Sequence, residues 1–127
     1  LNTARSKTAS EFTRRSLPAG LRERSNGESA FMYFQNKIEE NALYLLDEPE
    51  NSLSPEKQIE LLQLIEDSAR YFGCQFIIAT HSAIMLSARN AKIYDFDSFP
   101  VGVCAWQDIP SVRCQYEFFR KHDAEFE

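Results

Sequence analysis

Ala42-Leu43-Tyr44-Leu45-Leu46-Asp47-Glu48-Pro49 is the stretch on which the reading of this chain turns. Its first five residues are apolar without alternation. Such a run suits a short strand covered on both faces, as in a parallel sheet. It stops at two adjacent carboxylates and a proline. Just downstream, Ser54 is placed to cap a helix, with Pro55 at its first position and Glu56 in its first turn. Leu61, Leu62, Ile65, Ala69 and Phe72 give that helix one apolar face, and Gly73 supplies its stop. Phe76-Ile77-Ile78-Ala79 is a second apolar run, ending at Thr80-His81-Ser82. Strand, helix and strand in such quick succession make a βαβ unit, with a right-handed crossover.

Further out, Ala30, Phe31, Phe34 and Ile38 recur at helical spacing, which predicts a helix opening just after Ser25-Asn26-Gly27. Glu28 falls in its first turn, where the helix dipole favours an anion. Beyond the second strand the sequence predicts a short helix near 83–87, a third strand over 92–96 and a fourth, at an edge, over 101–106. A final helix is expected over 111–125, with Val112, Tyr116, Phe118 and Phe119 turned inward. The class is α/β. Residues 1–25 read as a basic arm and residues 26–127 as one domain.

Composition narrows the classes. The chain has 127 residues, 43% hydrophobic and 26% charged, which fits neither a disordered nor a membrane protein. No apolar run reaches the roughly 18 residues that span a bilayer. No secretory signal precedes the domain, so the expected location is cytoplasmic. The chain begins at Leu1 and is expected to be a processed product or a piece of something longer. Its net charge of −5 is uneven: Arg5, Lys7, Arg14, Arg15, Arg22 and Arg24 make the first 25 residues basic, and the remainder is acidic. A basic arm is able to touch phosphate, but the overall charge does not support a nucleic-acid partner. Cys74, Cys104 and Cys114 are odd in number and lack C-x-x-C spacing, which fits a reduced compartment. With only His81 and His122 beside them, a structural zinc site is not expected.

In open α/β sheets, ligands bind beyond the carboxyl ends of the strands. Asp47-Glu48 and His81 close the two apolar runs, so parallel neighbouring strands would bring them to one sheet edge. Two carboxylates at that place suit a cation, a bound water or a phosphate partner.

Leu43-Tyr44-Leu45-Leu46-Asp47-Glu48-Pro49 resembles the Walker B motif of ABC-type ATPases. Arg24-Ser25-Asn26-Gly27-Glu28-Ser29 resembles their signature motif, Asn51-Ser52-Leu53-Ser54 their D-loop, and Ala79-Thr80-His81-Ser82 their switch-histidine loop. Order and intervals agree over roughly residues 25–96. The run from Asp47 to Pro55 is more similar to soluble bacterial ABC-type ATPases, relatives of the chromosome-maintenance, recombination-repair and AAA-type ATPases, than to transporter subunits. Arg24, Asn26 and Ser54 depart from the usual residues of these motifs. A P-loop needs G-x-x-x-x-G-K-S/T, and none of Gly20, Gly27, Gly73 and Gly102 is followed by Lys. The resemblance therefore implies the C-terminal portion of such an ATPase, a partial P-loop-NTPase-like sheet of parallel strands and flanking helices, without Walker A. Residues 1–25 would include a remnant of the helical subdomain.

The resemblance also implies roles. ATP is the substrate and Mg²⁺ the cofactor, held through water by Asp47. Glu48 orients or deprotonates the attacking water, and His81 contacts the γ-phosphate. Ser25, Asn26, Gly27 and Glu28 serve the ATP of an opposite subunit at a helix N-terminus. Asn51 and Ser52 lie at the dimer interface. The partners implied are a Walker A-containing half and a second copy, joined as an ATP sandwich; the isolated chain is expected to be inactive. Two other classes compete. One is a non-catalytic interaction module with relaxed motifs. The other is a metal-dependent phosphodiesterase using Asp47, Glu48, Glu50 and His81.

Overall fold

The computed structural model describes residues 38–127, together with Gln35 and Asn36. The basic arm, the boundary at 25/26 and the signature-like segment Ser25–Glu28 lie outside the described residues. Of the first expected helix, Gln35 and Asn36 are helical, whereas Ile38 is not. The chain divides into two compact units between Met85 and Leu86.

The first unit contains the βαβ arrangement. Strand β1 (Leu43–Asp47) and strand β2 (Gln75–Ala79) pair in parallel, Leu43 opposite Gln75 and Asp47 opposite Ala79. Helix α1 (Pro55–Tyr71) joins them and packs on β2. Its start follows the sequence: the Ser54 hydroxyl accepts the Lys57 N–H at 3.2 Å, Pro55 opens the first turn and Glu56 lies within it. At its end, the Ser68 carbonyl accepts the Phe72 and Cys74 N–H groups. Gly73 follows with φ +66°, a left-handed conformation that favours glycine. A Cβ there would also run into the Asn41 side chain. Asn41 closes the same corner from the turn before β1, donating its N–H to the Phe72 carbonyl at 2.7 Å.

The unit's core is Ala42, Leu46, Leu53, Leu61, Leu62, Ile65, Cys74 and Met85. Two inward-facing assignments from the helix pattern need correction. Ala69 and Phe72 are exposed, and the fourth buried position of α1 is Ser68, whose hydroxyl donates to the Leu64 carbonyl at 2.6 Å. A small side chain that returns its hydrogen bond to its own helix satisfies burial there without an outside partner.

The strands are not covered equally on both faces. Tyr44, Leu46, Phe76 and Ile78 share one face, with Tyr44 stacked on Phe76 at 5.4 Å. The opposite face carries Leu43, Leu45, Asp47, Ile77 and Ala79, and there Leu43 is 42% and Ile77 56% exposed. Two strands and one packed helix shield a single face.

The second unit begins within the short helix α2 (Ala83–Leu86). Strands β3 (Ile93–Asp95) and β4 (Gly102–Cys104) pair antiparallel, with Tyr94 opposite Val103. They form their own two-stranded sheet instead of extending β1 and β2, which corrects the expectation of further strands in one sheet. A 3-10 turn (Trp106–Asp108) leads into helix α3 (Pro110–Lys121), which packs against that turn. The final helix thus ends four residues early, and Asp123–Phe126 forms a 3-10 turn. Val112 is buried as expected, but Tyr116, Phe118 and Phe119 are each more than half exposed.

Candidate functional site

Parallel pairing delivers both strand ends to one edge. The Glu48 N–H donates to the Ala79 carbonyl at 2.8 Å, a backbone bond tying the two segments as they leave the sheet. Asp47 still belongs to β1 and lies on the open face opposite Ala79, whose methyl group leaves room beside it. Among the described residues no hydrogen bond or ion pair engages the Asp47 carboxylate, so its oxygens are available to a ligand.

Glu48 is different. Its backbone turns left-handed, φ +46°, a costly conformation for a residue with a Cβ. Its carboxylate meets two partners. Asn51 Nδ2 donates to Oε2 at 3.1 Å, and His81 Nε2 stands 3.7 Å from Oε1. That second distance is longer than a hydrogen bond and becomes an ion pair only when His81 is protonated. The ring itself is open to solvent, with 88% of the side chain exposed. Tandem turns hold this loop: the Asn51 N–H donates to the Glu48 carbonyl at 3.1 Å and the Leu53 N–H to the Glu50 carbonyl at 3.0 Å. Ser52 takes φ +63° within the second turn and is exposed.

The structure thus brings Glu48, Asn51 and His81 together beside Asp47. Asn51, expected at an interface, spends its side-chain amide on Glu48. Sequence reasoning missed a second layer behind these groups. Glu50 Oε1 accepts the Thr80 hydroxyl and the His81 N–H, the latter at 3.1 Å. Ser82 donates its hydroxyl to Gln58 Oε1 at 2.6 Å, and Gln58 Nε2 donates to the Leu53 carbonyl at 3.1 Å. No local signal marks the Glu50 and Ser82 links, because their members lie 24 to 31 residues apart. Among the described residues no three His, Cys, Asp or Glu side chains are grouped to hold a metal ion. Asp47, Glu48, Glu50 and His81, which the phosphodiesterase reading would use as ligands or base, are thus not gathered as a metal-holding group.

Comparison with known families adds one decisive observation: the model of the AAA ATPase domain matches residues 23–86. The chain belongs to the AAA ATPase domain family. No match was found among curated proteins, and none among solved structures. The AAA ATPase match takes in the two strands, α1 and every residue of the site just described. It ends at Leu86, next to the break between the two units. Membership makes this an ATPase-family chain of nucleotide hydrolases, and the mixed helix–strand unit with its parallel pair is consistent with an α/β domain. Among the described residues no helix is long and apolar enough to cross a membrane.

Proposed function

We propose that this chain supplies the Walker B, signature and switch-histidine side of an ABC-type ATP-hydrolysing site. The observation that carries the reading is the convergence of Glu48, Asn51 and His81 beside an unengaged Asp47, inside the AAA ATPase match. Asp47 fits Mg²⁺ as a hard oxygen donor left unengaged at the strand end, and would hold it through water. The bound ion would offset negative charge on the phosphates. Glu48 takes the role of general base or water-orienting group, kept in place by the Asn51 amide. His81 stands across from it, exposed and able to donate to a phosphate oxygen. Ser25, Asn26, Gly27 and Glu28 would face the nucleotide of a second copy, and Asn51 and Ser52 would lie near that dimer contact. A P-loop-bearing half completes the phosphate cradle, because no G-x-x-x-x-G-K-S/T occurs in these 127 residues. The reading places the protein in the cytoplasm.

Calorimetry with Mg-ATP tests this on the chain alone and then with a separately produced P-loop half of a family domain. Weak binding alone and tight binding with the complement are expected. In the reconstituted pair, Glu48→Gln should keep binding and lower turnover by about 10²-fold or more, the usual scale for a lost general base. Tight binding by the chain alone would move the phosphate site elsewhere, first to Ser25–Gly27. Unchanged turnover in Glu48→Gln would favour the interaction module, for which the exposed Tyr116, Phe118, Phe119 and Phe126 of the second unit speak.

A further inference from the structure

His81 poses a positioning problem. Its ring is largely solvated and, among the described residues, meets only Glu48 at 3.7 Å, so packing does little to hold it in place. Its distance from Glu48 must therefore be set by its backbone. Among the described residues, the side chain that binds that backbone directly is Glu50, two residues beyond Glu48 in the loop after β1. Glu50 Oε1 accepts the His81 N–H at 3.1 Å and the Thr80 hydroxyl together. The Thr80 oxygen in turn accepts the Ser82 N–H at 3.1 Å, so the clamp grips three successive residues. Glu50 is itself pinned, its carbonyl accepting the Leu53 N–H and its neighbour Pro49 buried. The other carboxylate oxygen, Oε2, is buried and has no partner among the described residues. A carboxylate oxygen kept out of water without a partner is unfavourable in itself. The two donors to Oε1 offset part of that cost, and both belong to the segment that carries His81.

We propose that Glu50 is a positioning residue, clamping Thr80–His81 through its carboxylate and so fixing His81 against Glu48. The inference rests on the reading of Glu48 and His81 as parts of one hydrolytic site, but its test does not use ATP. Displacement of a participating group by about 1 Å is enough to cost roughly 10²-fold in rate, so a clamp of this kind bears directly on turnover.

Amide hydrogen exchange on the ¹⁵N-labelled full chain provides the first readout. Glu50→Ala should speed exchange of the His81 amide by about tenfold or more, the scale of one lost hydrogen bond to a charged group. Glu50→Gln keeps an acceptor oxygen and should restore protection to within about threefold of the parent on the same scale. The second readout is the ring resonances of His81, one of two histidines in the chain. They should respond to Glu48→Gln in the parent and in the Glu50→Gln background, but not in the Glu50→Ala background. Should Glu50→Ala fail to fold, Glu50→Asp is one methylene shorter and should show the same loss in weaker form. Unchanged His81 exchange, or an undiminished ring response, in the folded Ala or Asp variant overturns the proposal. If the clamp is found while Glu48→Gln leaves reconstituted turnover unaffected, the clamp stands and the hydrolytic reading falls.

Discussion

Replacing Glu48 by alanine and by glycine should order the two variants against the usual rule. Both substitutions remove the carboxylate, so the Asn51 hydrogen bond and the His81 proximity are lost equally. What differs is the response to φ +46°. A residue with a Cβ loses about 1–2 kcal/mol in the left-handed region. Glycine escapes that cost but brings a freer unfolded chain, a penalty of about 0.4–1 kcal/mol. The difference leaves Glu48→Gly more stable than Glu48→Ala by about 1 kcal/mol. In a helix or strand the order would be reversed by a similar amount. Urea unfolding of the full chain, followed by far-ultraviolet ellipticity, reads the difference as a shift in midpoint at constant slope. Glu48→Ala equal to or more stable than Glu48→Gly would refute the argument. The backbone would then be relaxed at Glu48, and the loop after β1 would not store conformational energy at the site.

Other consequences of the structure are open to similar measurement. Gly73→Ala should lose about 1–2 kcal/mol in urea unfolding, since φ +66° disfavours a Cβ. Asn41→Gly in the Gly73→Ala background should recover part of the loss, because the new methyl group meets the Asn41 side chain. Ser54→Ala removes the cap on the Lys57 N–H and should cost about 1 kcal/mol by the same assay, with Ser54→Asp near neutral. Ile65→Ala empties a position 4% exposed in the core beneath the sheet and should cost about 2–5 kcal/mol, enough to lower the thermal midpoint by many degrees.

Helix α1 was legible because its signals are local and independent: a serine cap, a proline at the first turn, an apolar stripe and a terminal glycine. Both strands of the first unit were legible because an unbroken apolar run bounded by polar loop residues leaves few alternatives. Their parallel pairing followed from the intervening helix. The second unit was harder. Three-residue strands carry too little pattern to say which sheet they join, and aromatic side chains at helical spacing do not reveal whether anything covers them. Tyr116 and Phe119 looked inward on spacing alone, yet α3 buries only Val112. The meeting of Asp47, Glu48 and His81 at one sheet edge was legible, because each closes an apolar strand or follows its end. The Glu50–Thr80 and Gln58–Ser82 links were not, because they depend on how two loops meet.

The left-handed turn at Glu48 explains how adjacent carboxylates come to face different surroundings. Along β1, alternate residues share a face, and Tyr44 and Leu46 point to the covered side. Had the strand continued, Glu48 would have followed them, carrying a charge toward the apolar layer that α1 closes. A buried carboxylate without a partner is far more costly than one strained dihedral. Turning left-handed at this point takes Glu48 off the covered face while its N–H keeps the bond to Ala79. Its oxygens then reach Asn51 and His81, and Asp47, one residue earlier and still in the pleat, is left on the open face with its carboxylate unengaged. The left-handed turn thus separates the carboxylate we propose for a cation from the one we propose for a water molecule. It does so with no residue between them, and the Ala–Gly comparison at position 48 measures what that separation costs the fold.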